Sequence, residues 1–150
     1  MADIVDAATR SRMMSGIRGK NTKPEITIRK AIHRLGLRYR IHSAHVPGRP
    51  DMVFPEFRAV IFVNGCFWHG HDCKYFKLPS TRRDFWGAKI AANKARDLLV
   101  RTELEKAEWR HLTIWECAVR GQKNEATAKV ASQAVKWLRS RSPQREIRGR

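Results

Sequence analysis

The segment DMVFPEFRAVIFVN, residues 51–64, decides the fold of this chain. Asp51 is followed by three apolar residues, 52–54, before a turn at Pro55, and residues 58–63 are almost entirely apolar. A near-continuous apolar run of this length is typical of a strand in a sheet that is buried on both faces. The segment therefore predicts two neighbouring strands, the second of which ends at Asn64.

Helical and extended patterns alternate on either side of this segment. Thr22 and Glu25 have capping-box spacing, and the apolar face that follows predicts a helix ending at Gly36. Residues 37–41 alternate apolar and basic side chains, which predicts a strand. Further helices are predicted over about 82–107 and 124–140, with a strand over 111–116 between them. This order predicts an α/β fold, a mixed sheet flanked by helices.

The length of 150 residues suits one domain with one hydrophobic core. Residues 1–20 are polar and basic and predict an N-terminal arm or helix. Residues 21–140 are expected to form the folded domain, and residues 141–150 a basic, mobile tail.

The net charge of +17, from 31 Lys and Arg against 14 Asp and Glu, points to a polyanionic partner. Such a charge repels itself in a compact fold unless a polyanion offsets it, and nucleic acid is the obvious one. A membrane surface is the alternative, but the chain has no clear basic amphipathic helix and no apolar run as long as a membrane span. We expect no membrane partner, no signal peptide and a cytoplasmic location at the nucleoid. The absence of a symmetric dimerisation stripe favours a monomer. The net charge alone predicts nucleic-acid binding and does not predict nucleic-acid cleavage.

Four potential zinc ligands include every cysteine of the chain, which is expected to lie in a reducing compartment. Three lie within one short loop, and the fourth follows a predicted strand. Together they would form a Cys₃His tetrahedron, the closed set typical of structural zinc. The alternatives are small buried cysteines without a metal, or His69 or His42 as the nitrogen ligand. The predicted ligands are Cys66, His71, Cys73 and Cys117.

Three further residues are candidates for catalysis. Asp51 opens a strand beside a second strand, where a carboxylate could bind Mg²⁺ next to a phosphate; the alternative is a strand cap. His69 is left over by the zinc set and could act as general base or contact phosphate. Glu25 could close the capping box with Thr22, or reach the water shell of a metal.

Large aromatic side chains stand in polar surroundings at Phe67-Trp68 and Phe85-Trp86. Such side chains can slide between base steps as wedges. Trp86 shares a helical face with Lys89 and Asn93, a combination suited to stacking on bases and hydrogen bonding to them. Phe85 is expected instead to anchor its helix to the core.

These motifs together resemble the very-short-patch-repair (Vsr) DNA mismatch endonucleases. The resemblance covers about residues 3–140, and the run Gly-Cys-Phe-Trp-His is its most specific part. It implies a restriction-endonuclease-like fold, and a nick 5′ to the thymine of a T:G mismatch left by deamination of 5-methylcytosine. Duplex DNA with such a mismatch is the implied substrate, and general mismatch-repair proteins are candidate partners. The matching positions are residues 9–11, 47–51, 61–69, 71, 73, 79–82, 85–86 and 115–117.

The resemblance also implies roles for individual residues. Asp51 would bind catalytic Mg²⁺ with the Val63 carbonyl, Glu25 would support the hydrated metal, and His69 would be the general base. Structural Zn²⁺ would be held by Cys66, His71, Cys73 and Cys117. The implied DNA contacts are Phe67, Trp68 and Trp86 as intercalating wedges, Lys89 and Asn93 near the mismatch, and Met14 on the minor-groove side.

Asn64 departs from the family pattern, which has a histidine immediately before the Gly-Cys pair. An amide can hydrogen-bond a phosphate oxygen but cannot take up a proton near neutral pH. We therefore assign Asn64 to the catalytic group as a phosphate contact only. Two other functions remain open, a zinc-stabilised DNA-binding module without catalysis and a restriction- or toxin-like nuclease that cuts matched duplex. Asp51 together with His69 argues against the first.

Overall fold

The computed structural model describes residues 22–120 and 124–149, which form a four-stranded sheet flanked by helices. In order β1-β2-β3-β4, the first pair of strands is antiparallel and the other two pairs are parallel. The strands are β1 (Met52–Phe54), β2 (Ala59–Asn64), β3 (Arg110–Trp115) and β4 (Gln144–Ile147). The helices are α1 (Lys23–Arg34), α2 (Arg83–Lys106) and α3 (Asn124–Leu138). Short 3-10 turns follow β1 and β3.

The apolar run of β2 is buried on both faces of the sheet, which confirms the interpretation of its sequence. Ala59 and Ile61 join the core cluster with α1 and α3, whereas Val60 joins a smaller cluster with Leu104 of α2. All three β2 residues are 0% exposed. Because neighbouring side chains of a strand point to opposite faces, helices on both sides require apolar residues at every position.

Arg110 ties the start of β3 to the end of α3. Its guanidinium donates to four backbone carbonyl oxygens at 2.7–3.3 Å. Helix ends leave carbonyls without intrahelical partners, and a guanidinium with five donors can satisfy several of them at once. Burial lowers the pKa of Arg110. The accepting residues are Phe57, Trp137, Leu138 and Ser142.

The expected mixed α/β fold is confirmed, but the prediction of a strand over residues 37–41 is wrong. An isolated bridge between Arg40 and Val53 is the pairing found there. Ile41 is 47% exposed and His42 takes a left-handed φ of 48°, which ends the extended path. The alternation of the sequence reflects this short contact with β1 and not a full strand.

The prediction of a mobile tail over residues 141–150 is also wrong for the part that forms β4. Gln144–Ile147 pairs in parallel with β3, and Ile147 is 5% exposed. An edge strand needs few buried side chains, so its basic composition hides it from pattern analysis. The expected arm over residues 1–20 lies outside the described residues. No helix of the described part of the chain is long and apolar enough to cross a membrane.

Candidate active site and metal centre

A cavity of about 810 Å³ is lined by the start of α1, the end of β2 and the middle of α2. The fold brings together here most of the residues that the sequence assigned to catalysis and DNA contact. It also brings in charged residues to which the sequence assigned no role, among them Asp97 and the arginines Arg49, Arg96 and Arg101. The predicted residues in the lining are Glu25, Asp51, Val63, Asn64, Phe67, Trp68, His69, Lys89 and Asn93.

Asp51 and Glu25 form a carboxylate pair at the edge of this cavity. Asp51 stands directly before β1, and its Oδ2 accepts a hydrogen bond of 2.5 Å from the Val63 N–H of β2. Burial, followed by the hydrogen bond with Glu25, raises the pKa of Asp51 well above its usual value. The contact with Val63 is what a strand cap would make, but a cap alone does not explain the second carboxylate.

Glu25 reaches this pair from the first turn of α1. The Thr22 hydroxyl caps the helix by accepting from the Glu25 N–H at 3.4 Å, as the sequence predicts. The Glu25 side chain is buried, and its carboxylate lies 3.2–3.3 Å from Nε2 of His42 and 3.3 Å from Nη1 of Arg29. The carboxylate therefore does more than complete a capping box.

His42 is the third member of this cluster, which the sequence analysis considered only as an alternative zinc ligand. Its Nε2 lies 3.8 Å from Oδ1 of Asp51. The potential ligand atoms of Glu25, His42 and Asp51 all lie within 4.8 Å of one another. Two carboxylates and an imidazole at this spacing fit a divalent cation, since hard cations prefer oxygen ligands and the like charges need compensation.

His69 is held by Asp97, which no local motif links to it. Nδ1 of His69 lies 2.5 Å from Oδ2 of Asp97 in the middle of α2. An ionised carboxylate only accepts hydrogen bonds, so Nδ1 carries the proton and Nε2 is left free to accept one. A signal existed in the sequence, because Asp97 continues the helical face of Trp86, Lys89 and Asn93 by one further turn.

The four predicted zinc ligands come together behind the cavity. Their ligand atoms lie within 4.8 Å of one another, and Nδ1 of His71 lies 3.6 Å from Sγ of Cys117. A tetrahedron with Zn–S bonds of about 2.3 Å and a Zn–N bond of about 2.0 Å has S···N edges of about 3.5 Å. The geometry therefore fits a zinc ion. His69 and His42, the alternative ligands, have carboxylate partners elsewhere. The clustered residues are Cys66, His71, Cys73 and Cys117.

Backbone N–H groups and a buried ring surround this sulfur cluster. The Cys117 N–H donates to Sγ of Cys66, and the Gly149 N–H donates to Sγ of Cys117, both at 3.3 Å. His71 stacks on the ring of Trp115 with centroids 3.9 Å apart. Burial raises the pKa of the Cys66 thiol, and burial with the nearby Arg148 charge lowers the pKa of His71. A neutral imidazole offers its lone pair to a metal and therefore suits metal binding.

The three predicted wedge residues form one aromatic cluster beside the cavity. Their ring centroids lie 5.1–5.6 Å apart in edge-on arrangements. Asn93 of α2 fixes the loop that carries two of them by donating to the Trp68 carbonyl at 2.8 Å. Phe85 is 44% exposed under the guanidinium of Arg82, so the expectation that it anchors the helix to the core is wrong. The cluster consists of Phe67, Trp68 and Trp86. Met14 lies outside the described residues.

Comparisons with known proteins identify relatives of this chain. The profile of the family DNA mismatch endonuclease Vsr matches residues 2–75. The type II nicking enzyme V.XorIIP of Xanthomonas oryzae pv. oryzae is 44% identical over 117 residues, 78% of this chain and 86% of the relative. DNA mismatch endonuclease Vsr of Escherichia coli K12 is 41% identical over 138 residues, 92% of this chain and 88% of the relative. The type II nicking enzyme V.NmeAIP of Neisseria meningitidis is 39% identical over 122 residues, 81% and 87% of the two chains.

A mixed sheet with a carboxylate pair and an imidazole in one cavity, together with these relatives, defines a DNA endonuclease. More narrowly, the chain belongs to the DNA mismatch endonuclease Vsr family. Family membership confirms the resemblance drawn from the motifs. It also leaves no support for a DNA-binding module without catalysis.

Proposed function

We propose that this endonuclease nicks duplex DNA 5′ to the thymine of a T:G mismatch left by deamination of 5-methylcytosine. The observation that carries the proposal is the single cavity that holds the Glu25–Asp51 carboxylates beside the His69–Asp97 pair. This supports cleavage of a phosphodiester bond, which needs charge compensation at the phosphate and a base for the attacking water. We also propose that the sheet is of the restriction-endonuclease type.

His69 would act as the general base in this reaction. Its Nε2 would take the proton of the attacking water, while the Asp97 carboxylate fixes the ring and stabilises the imidazolium. Asp51 and Glu25, with the Val63 carbonyl, would hold Mg²⁺, which when bound polarises the phosphate and stabilises the leaving oxygen. Asn64, 9% exposed in the same cavity, would donate its amide N–H to a phosphate oxygen.

Selection of the mismatch would fall to the aromatic cluster of Phe67, Trp68 and Trp86. Edge-on aromatic rings beside the cavity can insert at a base step that a mismatch has already weakened, because unstacking there costs less. Lys89 lines the same cavity and would neutralise backbone charge next to the inserted rings. The Escherichia coli relative is named a mismatch endonuclease, which favours this substrate over matched duplex.

Zinc would have a structural role. The ligands Cys66, His71 and Cys73 stand in the loop that also carries Phe67, Trp68 and His69, and Cys117 follows β3. A Zn²⁺ ion bound to all four would pin this loop to the sheet. The base and two of the wedge residues would thereby keep their places relative to the carboxylates.

The test is strand-resolved cleavage of a duplex with one T:G mismatch, beside the matched duplex, in the presence of Mg²⁺. We expect a nick in the thymine strand alone, lost in Asp51→Asn and kept in Glu103→Gln. Glu103 is an exposed acid of α2, so its substitution controls for the change of charge. Equal cutting of matched duplex would move the protein to the restriction- or toxin-like class. Undiminished nicking by Asp51→Asn would remove the catalytic assignment.

A further inference from the structure

We propose that His42 is a third protein ligand of the catalytic cation, which makes the site a mixed nitrogen–oxygen centre that binds Mn²⁺ more tightly than Mg²⁺. The inference rests on the proposed function insofar as it takes the Glu25–Asp51 pair to be a cation site. No sequence motif assigns His42 to this centre, but the fold places its ring between the two carboxylates.

The distances around His42 match those between ligands of one ion. Ligand atoms about 2.1 Å from an octahedral ion lie about 3.0 Å apart when adjacent and about 4.2 Å apart when opposite. Nε2 of His42 lies 3.2 and 3.3 Å from the two oxygens of Glu25 and 3.8 Å from Oδ1 of Asp51. All three distances fall inside that interval.

The same distances are a poor fit to an ordinary ion pair. A strong hydrogen bond is directed at one oxygen, with N···O near 2.7–2.9 Å for charged partners. Here the nitrogen is almost equidistant from both Glu25 oxygens and also faces Asp51, so it points at the gap between the carboxylates. A cation bound in that gap would be within reach of the Nε2 lone pair and of both carboxylates.

The fold fixes His42 in this position. Its side chain is 10% exposed, and its backbone has a φ of 48°, a conformation that side chains other than glycine adopt uncommonly. Strained backbone of this kind persists where the surrounding structure requires it, and it concentrates at functional sites. His42 thus lies at the end of the extended segment, and its ring faces Glu25 of α1.

The charged groups around the cluster leave a net negative charge that a divalent cation can compensate. Two carboxylates face one guanidinium, because Nη1 of Arg29 lies 3.3 Å from Oε2 of Glu25. A neutral imidazole adds a lone pair without adding charge. Asn64, which is 9% exposed, adds a neutral amide and no positive charge to the same cavity.

A nitrogen ligand changes which cation the site prefers. Mg²⁺ takes oxygen ligands and gives up its water reluctantly, whereas first-row transition metals accept imidazole readily. Replacing His42 by glutamine substitutes an amide oxygen for the nitrogen at similar length. Affinity for Mn²⁺ should then fall, while affinity for Mg²⁺ should change little.

The experiment measures metal binding in the absence of DNA, on the full chain first loaded with equimolar Zn²⁺. Calorimetry gives Kd for Mn²⁺ and Mg²⁺, and electron spin-echo modulation of bound Mn²⁺ reports a directly coordinated ¹⁴N. We expect ¹⁴N coupling in the wild type, its loss in His42→Gln, and a loss of at least about tenfold in Mn²⁺ affinity, the lower end for disturbed metal sites. His45→Gln, at an exposed histidine of the same segment, should behave as wild type.

Absence of ¹⁴N coupling in the wild type, or its survival in His42→Gln, would overturn the inference even if that variant folds poorly. An equal loss of Mn²⁺ and Mg²⁺ affinity in a folded His42→Gln would reduce His42 to a positioning residue for Glu25 and would also overturn it. Because no readout involves cleavage, failure to nick T:G duplex would refute the proposed function and leave this result unaffected.

Discussion

The substitution Asp97→Asn tests most directly whether α2 supports the proposed cleavage reaction by holding His69. The substitution keeps the shape of the side chain but removes the charge that faces Nδ1 of His69 at 2.5 Å. A hydrogen bond to a charged group is worth about 1.5–3 kcal/mol, which corresponds to roughly 10–150-fold in rate once His69 becomes an imidazolium. An asparagine that donates to Nδ1 would also place the imidazole proton on Nε2, and loss of the base altogether would bring the effect to about 10²–10⁴-fold.

The assay is single-turnover nicking of the T:G duplex, with Kd for the uncut duplex measured in Ca²⁺. We expect the rate constant to fall by at least tenfold with Kd unchanged within about threefold, since backbone contacts dominate affinity. Glu103→Gln on the same helix should leave both unchanged. A rate constant for Asp97→Asn within threefold of wild type, or a parallel loss of rate and affinity, would refute the role of Asp97 in holding the base.

Three further outcomes are expected. Cys117→Ser should bind zinc substoichiometrically and melt at lower temperature, by roughly 2–4 °C for each kcal/mol lost in a domain of this size; elemental analysis showing full zinc content would contradict this. The raised pKa of Asp51 means that the folded protein binds its proton more tightly than the unfolded chain. The stability that this protonation contributes is complete below about pH 4 and is lost as pH rises through the raised pKa. Urea unfolding without Mg²⁺ should therefore show a free energy of unfolding that declines over this range in the wild type but not in Asp51→Asn. Identical pH slopes for the two proteins would contradict the raised pKa. Trp68→Ala should reduce discrimination for T:G over matched duplex by about 1–3 kcal/mol, the worth of one stacked base, with a smaller effect on matched DNA, and equal losses measured by gel shift would argue against a wedge.

Sequence patterns could predict those parts of the fold whose periodicity is unambiguous. The buried run of β2 follows from its local apolar pattern alone. The four predicted zinc ligands could be grouped because the sequence has only three cysteines, and the structure brings these together with His71. Local patterns fail where a few long-range contacts decide the outcome, as in β4, whose single buried residue is Ile147.

The carboxylate cluster and the His69–Asp97 pair depend on side chains that are distant in the chain. Asp97 follows His69 by 28 residues, and Glu25 precedes His42 by 17. No spacing rule connects such residues, because the sheet and not the local chain brings them together. The resemblance to a family gave Glu25, Asp51 and His69 their roles, but the partners His42 and Asp97 required the structure.

The length of α2 has a consequence for how fast the wrong DNA is rejected. One uninterrupted helix carries Trp86 and, about 16 Å further along its axis, Asp97. Because α2 is one continuous helix, an axial shift of 1 Å at Trp86, the proposed intercalating residue, would be transmitted to Asp97, which would align the proposed general base. Misplacement of that size costs on the order of 100-fold in rate. A duplex that does not fit the aromatic cluster would thus be discriminated against twice, because it would dissociate sooner and would be cut more slowly while bound. The ratio of dissociation rates and the ratio of cleavage rates multiply.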